Sequence, residues 1–378
     1  MSDPPVVRMW TPEPPTPEVR KTIDRLARAP DVAHIAVMPD VHLAAGVSNG
    51  VVVATRRLIY PAAVGGDIGC GFATIALDGP AGPLRSRSAA EAILEALPRA
   101  VPVMRHKRRD QRPEPASTIH AQRLSAPELM ARATRDGWLE LGTLGRGNHF
   151  LEIQADDQDR LWLMVHSGSR AMGQHITAFH GRRATPVGGG LAWLDADSEE
   201  GRAYLRDVTW ARAYAAESRR RMLDAAVGVL AEVLEVEPDP ETMLNTDHNH
   251  VQLEHHGGES LWVHRKGANR AENGLANMIP GSMATHTYHV EGRGDALSLT
   301  SSSHGAGRRL SRSAARAKIR KAEHARRLET VWINPRIAPR LVDESPAAYK
   351  DIDAVMRAQR DLVRMVRRVR PLLCHKGV

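Results

Sequence analysis

The chain has 378 residues, 42% of them hydrophobic and only 4% aromatic, with a formal net charge of +8 at pH 7. No run approaches the roughly 20 apolar residues that span a bilayer, and the opening MSDPPVVRMW has no apolar signal core, so a helical membrane protein and a secreted one are both excluded and a cytoplasmic chain is expected. Two cysteines, Cys70 and Cys374, make no disulfide framework and leave Cys70 free to act as a ligand.

The first 18 residues are Pro-rich and read as an extended lead-in; residues 19–378 read as one domain. Pro17 to Ala29 has the spacing of a short amphipathic helix. HIAVMPDVH is a buried strand ending in a polar loop, and residues 46–76, rich in Gly, Val and Ala, predict strands and tight turns around Asp67 and Cys70. Ser88 to Leu97 and Ser125 to Asp136 predict helices; Ser125 and Glu128 form a capping box for the second, which should stop before Gly137. Gly188 to Gly190 leads into a long helix from about Gly201 to Leu234, closed by Pro238 and Pro240. Strand-like segments follow to His304. Arg309 to Leu328 and Tyr349 to Val369 predict basic helices. With no internal repeat and no long linker, a single interwoven α+β domain fits better than two separable ones.

Only seven of the 52 basic residues are Lys. Arg presents a planar fork suited to phosphate, although Arg enrichment can equally reflect genomic base composition. The charge concentrates in Arg105 to Arg112, Arg308 to Arg327 and Arg364 to Arg370, which points to RNA or DNA as a partner, with a solvated face as the plain alternative.

The chemistry sits in two segments. Phe150 to Gln154 and Leu161 to Val165 read as strands joined by a six-residue turn, Ala155 to Arg160, and simple antiparallel pairing then sets His149 opposite His166. Opposed residues bring their Cβ atoms to about 4.5 to 5.5 Å. Two imidazoles that close, with Asp67 and Cys70 three positions apart elsewhere, make a set that can hold a divalent transition metal. His248, Asn249, His264, Arg265 and Lys266 add polar groups. Gly305 and Gly307 remove side chains beside His304, so a phosphate can approach the backbone there, and a helix beginning near Arg309 would add its positive end. A histidine beside such a site can attack phosphorus. There is no GxxxxGK[ST] loop, no strand-anchored GxGxxG and no Lys-x-Asp-Gly signature.

MPDVH (Met38 to His42), GGDIGCG (Gly65 to Gly71), GTLGRGNHFLE, MVHSGSR, DHN (Asp247 to Asn249), VHRKGA, IPGSM (Ile279 to Met283), HGAGRRLSR, AYKD (Ala348 to Asp351) and the closing Lys376 and Gly377 resemble, in order, the RtcB family of RNA ligases. The resemblance runs from residue 38 nearly to the C-terminus. It implies an RtcB-like fold with β-sheets around a dinuclear metal cleft and flanking basic helices. It also implies a GTP- and manganese-dependent enzyme that joins an RNA 3′-phosphate or 2′,3′-cyclic phosphate end to a 5′-hydroxyl end, in tRNA splicing or RNA repair.

Carried over position by position, it implies that Asp67, Cys70, His149, His166 and His248 hold two Mn2+ ions, with Cys70 as the bridge. His304 would be the nucleophile that takes GMP from GTP. Asn148, Phe150, Glu152, Asn249, Ser282, Ala306, Gly307, Tyr349 and Lys376 would contact the guanylate or the metal. The chain departs from the family pattern at LAAGVSNG after MPDVH, at Ser303, at Thr287, at Ala215 to Arg219, and at Cys374 and His375. The residues leave two other readings open: a dinuclear metallophosphatase or cyclic-phosphate hydrolase, and a non-catalytic RNA-binding protein. Nothing in the sequence requires more than a monomer.

Overall fold

The computed structural model describes residues 4–106, 114, 119 and 122–377. Two sheets carry the fold. The larger runs 238–247, 71–80, 160–167, 150–156, 363–376, 287–292 and 276–280, with the short strand Trp332–Ile333 parallel to the end of 363–376. The smaller runs 6–9, 32–42, 49–55, 259–266 and 249–256; its first pair is parallel and the rest are antiparallel. The lead-in therefore contributes a strand, Val6–Met9.

One face of the larger sheet presents Ala73, Ile75, Leu151, Ile153, Leu161, Leu163 and Val165 to the helices Arg87–Ala100 and Glu199–Leu234, and this layer is a main core. Alternation along each strand turns Phe72, Met164, Phe150, Glu152 and His166 to the opposite face. The site is built on that second face. The helix Pro17–Ala27 starts as its sequence requires, with Thr16 as N-cap and Pro17 in the first turn, and buries Val19, Ile23 and Leu26 at helical spacing.

The long helix covers Glu199–Leu234, capped by Ser198, whose hydroxyl accepts the Gly201 N–H at 3.0 Å. It ends at Glu235, in the left-handed conformation at φ 56°; Pro238 begins the next strand rather than closing the helix.

Four local expectations are corrected. The 150–156 and 160–167 strands are longer than expected and leave a three-residue connection with Asp159 at φ 62°, so Phe150, not His149, pairs with His166. Ser125 caps no helix. Its N–H and hydroxyl both bind the buried Asp207, at 2.7 and 2.6 Å, and the helix begins at Pro127, passes through a π turn at Ala133–Gly137 and continues to Glu140. The expected helix Arg309–Leu328 is two short ones, Arg312–Lys318 and Lys321–Arg327, broken at Arg320. Tyr349–Val369 is mostly not helical: only Ile352–Ala358 is, and Val363–Lys376 is a strand in the middle of the larger sheet, so Arg364 to Arg370 lie on a strand. Arg and Val suit an exposed strand as well as a helix, and sheet pairing on both edges decides it. Of the basic segment Arg105 to Arg112, residues 107–112 lie outside the described residues.

Candidate active site

Five side chains from four parts of the chain converge at the end of the larger sheet's second face. Cys70 Sγ lies 3.3 Å from His166 Nε2 and 3.6 Å from His149 Nε2. His149 Nε2 lies 2.9 Å from Asp67 Oδ2, and His166 Nε2 lies 3.4 Å from His248 Nε2. They form two groups of potential ligands, Asp67–Cys70–His149 and Cys70–His166–His248, which share the thiol. The histidines meet although they are not a register pair, because His149 reaches in from the loop before its strand while His166 points from within its own.

The surroundings fix which nitrogens face inward. His149 Nδ1 lies 3.0 Å from the Leu144 carbonyl and His166 Nδ1 lies 3.1 Å from the Asn148 carbonyl, so each Nδ1 must be the N–H and each Nε2 presents a lone pair. Burial, together with neighbouring histidines, pushes the pKa of His166 and of His248 well below the ordinary value. Burial pushes the Cys70 thiol up, the Asp67 carboxylate adds to this, and Arg219 opposes it. The inward lone pairs of the imidazoles converge beside a carboxylate and a thiol, and a cation that displaces the thiol proton can be shared by all of them. The donor set of imidazoles, thiolate and carboxylate therefore fits a divalent transition metal.

Support comes from behind the ligands. Arg219, 1% exposed, donates to the carbonyls of Gly69 and Ser167 at 2.7 and 2.9 Å, each next to a ligand residue. Asn249 donates to the Asp67 carbonyl at 3.0 Å and accepts the Gly267 N–H at 2.7 Å. A side chain at Gly168 would stand 2.2 Å from Asp67 Oδ1, so glycine is needed there for the carboxylate to fit.

Beside this cluster opens a cavity of about 990 Å³. Asn148, Phe150, Glu152, Ser282, Ala306, Gly307, Tyr349 and Lys376 all line it, as does His304; Asn249 does not. The His304 ring lies 4.7 Å from that of His248, which places it between the cluster and the cavity. Asp40, fully buried, holds it: Asp40 Oδ2 lies 2.7 Å from His304 Nδ1 and accepts the backbone N–H groups of His304 and Gly305 at 3.2 and 3.3 Å. That leaves Nε2 as the nitrogen available for attack. From behind, the Gln359 amide donates to the Ser303 hydroxyl at 2.5 Å and accepts the Ser303 N–H at 2.9 Å.

The far end of the cavity is charged. Lys376 Nζ lies 3.0 Å from Glu344 and donates to the His149 carbonyl at 3.1 Å. Glu344 also pairs with Arg308 and Arg312 and accepts the Tyr349 hydroxyl at 2.8 Å. Burial raises the Glu152 pKa to about 7, against the Gln154 amide that donates to it at 2.9 Å. Asp40, Arg219, Glu344 and Gln359 were not singled out in the sequence. Asp40 was within reach, since it sits inside MPDVH, but a lone Asp gives no sign of burial.

Fold and site together define an α+β protein with a buried thiol–imidazole–carboxylate cluster and a histidine facing a cavity lined by both acidic and basic side chains. Residues 22–125 and 116–377 match the family described as tRNA-splicing ligase RtcB, and the chain belongs to that family. It is 36% identical to the RNA-splicing ligase RtcB of Escherichia coli K12 over 98% of this chain and 97% of that one. It is 30% identical to the RNA-splicing ligase RtcB of Mycobacterium tuberculosis over 90% and 96%. The tRNA-splicing ligase RtcB of Methanopyrus kandleri is 32% identical over 65% of this chain and 31% of its own length.

Proposed function

We propose that this protein is an RNA ligase that joins a 3′-phosphate or 2′,3′-cyclic phosphate end to a 5′-hydroxyl end, using GTP and a histidine-linked GMP. The observation that carries the reading is His304, held through Nδ1 by Asp40 at the edge of a cavity that also contains Glu152 and Lys376. Asp67, Cys70, His149, His166 and His248 would hold two manganese ions, with Cys70 shared. Such ions, when bound, supply positive charge to phosphate oxygens.

The chain's own groups do the rest. Nε2 of His304 attacks the α-phosphorus of GTP; the N–P bond forms, the bond to pyrophosphate breaks and pyrophosphate leaves. A 2′,3′-cyclic phosphate is first opened by water, whose oxygen bonds to phosphorus as the P–O2′ bond breaks and the 2′-oxygen takes a proton; an oxygen of the RNA 3′-phosphate then displaces His304 and takes the GMP. Finally the 5′-hydroxyl oxygen attacks the 3′-phosphorus, its proton is released and GMP leaves. Glu152 as a carboxylate accepts the guanine N1 and N2 hydrogens, which selects guanine over adenine. Lys376, Tyr349, Asn148, Ser282 and the backbone at Ala306 and Gly307 position the guanylate, Phe150 packs beside it, and Asn249 acts by bracing Asp67. Arg308 and Arg312, beside the cavity, fit RNA phosphates.

Residues 19–378 would work as one catalytic unit, preceded by the lead-in 1–18. Free, buried Cys70 and Cys374 fit a reducing compartment, and we place the activity in the cytoplasm. No helix of the described residues is long and apolar enough to cross a membrane. One chain supplies every residue named, which suits a monomer.

The test is incubation with α-labelled GTP and manganese, then denaturing electrophoresis. An acid-labile, alkali-stable labelled band is expected in the wild type and absent in His304→Ala, with metal content unchanged in that variant. No band in the wild type under conditions of full metal occupancy would sink the ligase reading in favour of a hydrolase.

A further inference from the structure

Behind Glu152, away from the cavity, stands a small buried polar cluster. Gln154, two positions further on the same strand and so on the same face, donates from Nε2 to Glu152 Oε2 at 2.9 Å and to the Thr287 hydroxyl at 3.1 Å. Gln154 and Thr287 are both buried, and neither lines the cavity. The amide oxygen of Gln154 has no hydrogen-bond partner among the described residues. A buried amide that leaves its own carbonyl unpaired is held for what its nitrogen does. Turned over, it would set that oxygen against the Glu152 carboxylate.

The other groups that face Glu152 are few. Cys374, its partner on the strand 363–376, offers a thiol that stays protonated, because burial and the carboxylates of Glu152 and Glu344 push its pKa up. Lys376, two positions further along, attracts the carboxylate but is shared with Glu344 at 3.0 Å. On the strand 160–167 the opposed residue is Met164, and the strand 276–280 adds Met278 to the same apolar group. Burial outweighs the hydrogen bonds and the lysine and raises the Glu152 pKa to about 7, so both forms of the carboxyl are present near neutrality.

The two forms read different bases. A carboxylate offers two acceptors, which match the N1 and N2 hydrogens of guanine. The neutral acid offers one O–H donor and one acceptor, which match adenine, whose N1 accepts and whose 6-amino group donates. Gln154 sorts the two oxygens: by donating to Oε2 it keeps that oxygen an acceptor in either form, so a proton goes to Oε1. The same donation favours the charged form. We propose that Gln154, anchored by Thr287, sets the purine choice of this cavity by holding Glu152 as a guanine-selective carboxylate, and that a proton on Glu152 turns the same site toward adenine nucleotides. The inference rests on the ligase reading above.

Purine choice is measured as kcat/KM for histidine labelling by α-labelled GTP and by α-labelled ATP, with the manganese-loaded full chain at pH 6, 7 and 8. Whatever acid does to the metal cluster or to His304 acts on both nucleotides and cancels in their ratio. The GTP-to-ATP ratio should rise about 100-fold from pH 6 to pH 8, about tenfold from each nucleotide, because each is read by one form of a carboxyl that titrates at about 7. Gln154→Leu should lower the ratio at pH 7 about tenfold, by moving the rise about one pH unit upward. Thr287→Val, a milder change, should shift it the same way by less. Glu152→Gln carries one donor group and one acceptor at every pH and should give a ratio that does not change with pH. A wild-type ratio that is constant from pH 6 to pH 8, a ratio at pH 7 that neither Gln154→Leu nor Thr287→Val lowers, or a pH-dependent ratio in Glu152→Gln would overturn the inference. No labelling of the wild type by either nucleotide overturns the ligase reading instead, whereas normal GTP labelling with a pH-independent ratio overturns this inference alone.

Discussion

Cys70 is the residue on which both ligand groups depend, because its thiol is the one atom common to Asp67–Cys70–His149 and Cys70–His166–His248. Its removal should therefore empty two sites rather than one. Cys70→Ala is expected to lower manganese content toward zero, measured by elemental analysis after gel filtration; one ion retained per chain would mean that the thiol serves a single site. Asp40 acts at one remove, through His304. Asp40→Asn should slow histidine guanylylation about 100-fold, the scale of losing a group that fixes a catalytic imidazole, and shift the pH–rate profile, with little change in the KM for GTP. A variant with wild-type rate and profile would make Asp40 merely a cap for the His304 and Gly305 N–H groups. The sequence made Cys70 and His304 legible because few residue types do their chemistry. It left Asp40 unmarked because an aspartate in a loop reads the same whether it is solvated or buried.

Among the elements, the long helix Glu199–Leu234 was read nearly to its ends, from about Gly201 to Leu234, since a pattern sustained over that length outweighs local noise. What it does for the site could not be read. Its Arg219 crosses to the larger sheet and ties Gly69 and Ser167 together beside the ligands, with its Nε donating to Asn245 at 2.8 Å. Arg219→Leu would leave buried carbonyls without donors and is expected to cost about 3 to 5 kcal/mol in urea unfolding, with metal content falling in parallel. A loss under about 1 kcal/mol would mean that water replaces the guanidinium. Two of the misread elements were misread for different reasons. Val363–Lys376 alternates Arg with Val and Leu, a pattern that both periodicities accept in part, and the strands 150–156 and 287–292 on its edges select the extended form. The 150–167 hairpin was recognised, but its register shifted by one because the connection has three residues rather than six.

For the whole molecule, buried neutral histidines set the response to acid. Burial holds His264 and His289 at about 4 in the folded chain, against an ordinary 6.5. Between those values the unfolded chain binds protons that the folded chain refuses, so stability falls as pH drops from 6.5 toward 4, by up to about 1.4 kcal/mol per pH unit for each histidine. Glu254 adds a second phase. Burial pushes its pKa up, but hydrogen bonds from His256 and Arg265 outweigh this and hold it at about 2, so its contribution is lost as pH falls from 4.5 toward 2. Urea unfolding at pH 7, 6 and 5 should show declining stability, and a flat response over that range would contradict the neutral burial of these histidines.

The sequence by itself determined the class of fold and the family, and it marked out the five side chains that converge and the histidine at the cavity's edge, because each of these depends on residue type and order along the chain. The tertiary structure alone decided which strands pair, that Asp40 and Arg219 stand behind the reactive groups, and that Pro12 to Pro15 and Leu43 face the same cavity as Lys376. Those facts depend on contacts between residues far apart in the chain, 264 positions for His304 with Asp40 and 150 for Arg219 with Gly69, and no local spacing encodes which distant side chains will share a buried volume.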